Sequence, residues 1–87
     1  MQDLESNTHF KTSDTALAAY LITEHFWVLS IDYGKPRYEY LFAMSEGIQE
    51  SSNKYLSGNA LTDPSSYSRI YRKLLRVIRK QVQWEED

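Results

Sequence analysis

The chain has 87 residues, of which 41% are hydrophobic and 25% charged, with a net charge of −2 and no cysteine. At this length about two-thirds of the surface of the extended chain can be buried, which suits one core and excludes two, and the composition is that of a folded rather than a disordered chain. Disulfides, thiolate metal sites and cysteine nucleophiles are excluded. No apolar run reaches the length needed to cross a bilayer. The polar, acidic opening Met1-Gln2-Asp3-Leu4-Glu5 differs from a signal peptide, so a cytoplasmic chain with no membrane partner is expected.

In chain order, residues 1–9 read as a flexible N-terminal segment. Thr12-Ser13-Asp14 offers three side chains able to cap a helix, and Thr15 to Ile22 supplies good helix formers with little polar surface, so a short, largely buried helix should end near His25. From Phe26 the pattern changes. Phe26 to Asp32 and Arg37 to Phe42 are rich in aromatic and β-branched residues, and Tyr33-Gly34-Lys35-Pro36 lies between them. These features predict an antiparallel β-hairpin. Alternation places Trp27, Leu29 and Ile31 on one face of its first strand and Tyr38, Tyr40 and Phe42 on one face of its second, and these aromatics read as core. A third short strand over Thr8 to Lys11 would widen a sheet that is marginal with two strands.

Ser45 can cap a second helix running to Leu56, with Gly58 as its stop. Asp63-Pro64 is a stronger start signal, a cap followed by proline at the first helical position, and the last helix should run to Val82 or Trp84. The expected fold is therefore α+β, a single small domain over residues 10–84 made of a helix, a hairpin and two helices, with the helices covering one face of the sheet. Residues 85–87 form an acidic tail.

Charge is unevenly distributed. Residues 64–84 hold six bases and no acid, whereas residues 1–63 carry nine acids against four bases. On a helical wheel, Ile70, Tyr71, Leu74, Leu75, Val77, Ile78, Val82 and Trp84 fall with Tyr67 on one half. Arg69, Arg72, Lys73, Arg76, Arg79 and Lys80 fall within about 120° on the other side, along roughly 16 Å of axis. A face built only for solubility usually mixes signs, and like pairs such as Arg69 with Lys73 cost a few tenths of a kcal/mol each. Such a stripe is stabilised by an acidic partner, either elsewhere in the chain or outside it.

Little else suggests chemistry. His9 and His25 lack metal-ligand spacing with Asp14 or Glu24, and no catalytic site, metal site or cofactor is expected. Ser13, His25 and Asp32 lack a nucleophile elbow or oxyanion loop. Gly34, Gly47 and Gly58 are explained by a turn, a helix start and a helix stop, so no phosphate-binding loop is present. Asp32 and Glu39 read as solvated strand positions beside Lys35 and Arg37.

Two stretches carry a family likeness. Phe10-Lys11-Thr12-Ser13-Asp14-Thr15-Ala16-Leu17-Ala18-Ala19-Tyr20-Leu21, and after the hairpin Tyr55-Leu56-Ser57-Gly58-Asn59-Ala60-Leu61-Thr62-Asp63-Pro64, make the chain resemble a family of small phage and bacterial proteins known only as a domain of unknown function. The resemblance implies a phage or mobile-element setting and carries no catalytic or binding residue across.

The expected function is a non-enzymatic binding protein that lays Arg69, Arg72, Lys73, Arg76, Arg79 and Lys80 against nucleic acid or a nucleoprotein. The alternative is a protein-interaction module, such as a small phage inhibitor of a host defence system, in which the basic face is a solvated surface or meets an acidic protein. A homodimer joined through an open hairpin edge is a further expectation.

Overall fold

The computed structural model describes residues 9–85. Of the expected flexible segment, residues 1–8 lie outside the described residues, as do Glu86 and Asp87 of the acidic tail. The elements are β1 (His9–Thr12), α1 (Thr15–Thr23), β2 (Val28–Asp32), β3 (Glu39–Ala43), α2 (Ile48–Leu56) and α3 (Pro64–Lys80). The sheet has three strands in the order β1-β3-β2, with β3 antiparallel to both neighbours. The domain is thus α+β, and the third strand is present. His9, grouped by sequence with the flexible segment, opens that strand opposite Ala43.

Asp14 caps α1 by accepting from the amides of Ala16 and Leu17 at 3.0 and 3.2 Å. The helix is buried along almost its whole length and packs against α2, where Tyr20 meets Tyr55, and against the inner face of α3, so it is the centre of the core. Tyr40 and Phe42 of the central strand are fully buried beneath it. The Thr15 hydroxyl bonds to both Tyr40 Oη at 2.8 Å and Tyr38 Oη at 3.1 Å, fastening the start of α1 to β3. Burial pushes the Tyr40 hydroxyl up to about 12, against the smaller opposing effect of its bond to Thr15.

Strict alternation along β2 fails. Val28 pairs with Phe42 but Ser30 pairs with Leu41, so Leu29 is the extra residue of a β-bulge. The bulge resets the phase, bringing Val28 and Ile31 into the core while Trp27 is 62% and Leu29 48% exposed. Trp27 and Leu29 are therefore surface residues and not core, because one inserted residue exchanges the two faces of the strand.

α2 ends at Leu56 with Gly58 in the left-handed conformation just beyond it, as expected, but the start of α2 and the end of α3 differ from expectation. Ser45 does not cap α2; the helix starts at Ile48 behind Gly47, whose φ of 91° suits glycine. The last helix stops at Lys80, so Val82 and Trp84 leave its apolar face. Gln81 adopts the left-handed conformation (φ 56°, ψ 46°), and the amides of Gln81 and Val82 bond back to the carbonyls of Ile78 and Val77. This is the hydrogen-bond pattern of a Schellman stop, normally built on glycine. The left-handed region costs an L-residue about 1–2 kcal/mol. Gln81→Gly is expected to raise stability by about 0.5–1 kcal/mol, read as a higher urea midpoint at unchanged slope.

Beyond Gln81 the chain folds back onto β2. The Gln83 side-chain amide accepts from the Ile31 amide at 2.6 Å and donates to the Ile31 carbonyl at 2.9 Å, as a neighbouring strand would. Tyr33 Oη donates to the carbonyl of Val82 at 2.6 Å and approaches that of Val77 at 3.3 Å. With β1 on one side of the hairpin and Gln83 on the other, the backbone at its middle is occupied.

Candidate nucleic-acid interface

The basic stripe exists because α3 is well specified. Asp63 accepts from the Ser66 amide at 3.1 Å and its hydroxyl at 2.8 Å, and these bonds hold its carboxyl below the usual range. Pro64 occupies the first turn, and Arg79 and Lys80 lie in the last, where cations suit the helix dipole. Ile70, Leu74 and Val77 are buried. Anchoring that arc turns Arg72, Arg76 and Arg79 directly away from the core.

The six cations do not share one environment. Arg72, Arg76, Arg79 and Lys80 are exposed, and among the described residues no carboxylate lies within ion-pair distance of them. Lys73 is half-buried. Its Nζ sits 4.3 Å from the centre of the Trp84 ring and donates to the Glu85 carbonyl at 2.6 Å. Arg69 lines a cleft of about 420 Å³ with Glu24, His25, Asp63 and Trp84. The buried Thr62 hydroxyl in that cleft wall has no hydrogen-bond partner among the described residues. Arg72, Arg76, Arg79 and Lys80 thus form an exposed row without an ion pair among the described residues, although Arg76 and Lys80 share with Lys73 a recess lined by Val82, Gln83 and Glu85 of the returning segment.

Trp84, half-buried after leaving the helix, packs against the edge of the core and against the Lys73 ammonium. The sequence reading missed Arg37. The fold brings it from the hairpin turn to a groove shared with Tyr71 and Leu75 of α3, and Leu75 has Arg72 and Arg79 as its helical neighbours. Placing Leu75 at the edge of the apolar arc could have signalled this border, but no local pattern could have signalled Arg37. Among the described residues no group of three metal-ligating side chains occurs, and no helix is long and apolar enough to cross a membrane.

These features define a small α+β domain with an outward-facing basic helix. Comparison with family models, curated proteins and solved structures finds no match for the chain.

Proposed function

We propose that this is a non-enzymatic protein that binds nucleic acid, alone or in a nucleoprotein, through the exposed face of α3. The observation that carries this reading is the row Arg72, Arg76, Arg79 and Lys80, four cations on one face with no carboxylate partner among the described residues. Like charges at three- and four-residue spacing destabilise a helix slightly, and a phosphate backbone reverses that cost by releasing its own counterions. Arg69 and Lys73 flank the row on the side of Trp84 and add to the field more than to direct contact. Phosphate contacts of this kind position a protein without reading sequence. A cytoplasmic phage or mobile-element setting completes the proposal, resting on the resemblance from Phe10 onward.

A retardation experiment tests it. At about 50 mM salt, where screening is weak, labelled oligonucleotides of unrelated sequence are expected to shift at similar protein concentrations. No shift under those conditions would leave the second reading.

That second reading is a protein-interaction module, supported by Trp27, Leu29 and Met44, which are large, apolar and exposed. A phage inhibitor of a host system would use such a surface. A sheet-joined homodimer belongs with this reading and would use the outer edge of β1, since Gln83 occupies the backbone of Ile31 on β2.

A further inference from the structure

Beside the arginine row runs a groove of about 610 Å³, open to solvent, between the start of α1, the end of the hairpin turn and the middle of α3. Tyr38, Tyr71 and Leu75 form its apolar part, and Arg37 stands at its hairpin side. Its volume lies in the range of small-molecule sites. Tyr38 is held by its bond to Thr15, and Tyr71 by stacking on Tyr67 at 6.0 Å and 20°, so both rings are fixed in place. Leu75 joins the groove to the row, because Arg72 and Arg79 lie three residues before it and four after it on the same side of the helix.

We infer that this groove takes unpaired nucleobases, so that the partner is single-stranded rather than duplex nucleic acid. The inference rests on the reading of α3 as a phosphate-binding face and specifies its substrate. Single-strand sites combine a cationic track for the backbone with aromatic rings on which bases stack. Here Arg72 and Arg79 supply the track, Tyr71 and Leu75 the apolar wall, and Arg37 a guanidinium opposite it. In a duplex the bases are paired and stacked inside, out of reach of a groove set beside the phosphate contacts. Asp14 is the one acid in the lining, and its carboxylate is engaged by the amides of Ala16 and Leu17. Thr12 Oγ1 accepts from the Asp14 amide at 3.0 Å and retains its proton, so it and the Ser13 hydroxyl can meet base edges. Hydroxyls donate and accept alike, which gives this recognition little base preference.

The test uses the full chain, dT12, rU12 and a blunt duplex of 12 base pairs at one salt concentration. Both single strands are expected to bind at least about tenfold more tightly than the duplex. Tyr71→Leu keeps an apolar side chain against Tyr67 but removes the stacking surface. It should cost about tenfold for the single strands and leave duplex affinity unchanged. Leu75→Ser, at the exposed rim, serves as a second variant with less demand on the core and the same expected direction. Amide NMR shifts on adding dT12 should include Ser13 to Ala16 and Arg37 to Tyr38 as well as α3. Equal affinity for single strands and duplex, or shifts confined to α3, would overturn the inference while leaving the basic face as a nucleic-acid site. Absence of binding to all three probes would remove the underlying reading and this one with it.

Discussion

Leu74→Ala is expected to lower the stability of the domain by about 3 kcal/mol, because the side chain is fully buried and its loss combines transfer and cavity costs. For a chain of this length total stability is on the order of 4–13 kcal/mol, so the change is a large fraction of it. The effect follows from the packing. Leu74 stands between Ile70 and Val77 on the arc of α3 that faces α1, and α1 has its own face against the sheet. Leu75→Ala, one residue further and partly exposed, should cost less than about 1 kcal/mol. Urea denaturation of the two variants gives the comparison. Near-equal losses would show that the apolar arc of α3 is not the element that closes the core.

The second large effect concerns binding. Replacing Arg72, Arg76 and Arg79 together by Gln removes three of the four open cations and none of the buried arc. Thermal stability should change by no more than about 0.5 kcal/mol, since these side chains lie on the surface away from caps and core. Affinity for a single-stranded oligonucleotide at 50 mM salt should fall by about two to three orders of magnitude, with the salt dependence reduced by about two log units per log unit. Fluorescence anisotropy measures both. Loss of binding accompanied by loss of cooperative unfolding would instead assign those arginines to the fold.

Much of the architecture was legible in the residues, and the departures have local causes. Asp14 and Asp63 act as the helix caps their positions imply, Asp14 before a run of good helix formers and Asp63 before a proline at the first helical position. The hairpin was equally plain, but not its phase: nothing in Phe26 to Asp32 marks Leu29 as a bulge, the feature that lets both Val28 and Ile31 enter the core. The end of α3 was obscured because Gln81 occupies a left-handed position usually taken by glycine, and helical periodicity carried on to Val82 and Trp84 past the stop. The Gln83 clasp on Ile31 spans 52 positions in sequence and leaves no local pattern.

The basic stripe illustrates the same division. Its six members and their common side of the helix follow from the wheel. Which of them remain open depends on the fold-back of residues 82–85, which draws Lys73 under Trp84, and on the cleft that takes Arg69. The groove behind Leu75 was not legible, because Arg37 and Tyr38 come from the hairpin more than thirty residues before Tyr71 and Leu75.

The affinity of the wild-type protein for dT12 as a function of salt tests the central claim most directly. Four phosphate contacts predict a log-log slope of about −2.8 on a single strand, or about a 50-fold loss between 50 and 200 mM salt. A slope near zero, or no measurable binding at 50 mM, would contradict the assignment of Arg72, Arg76, Arg79 and Lys80 to a phosphate backbone.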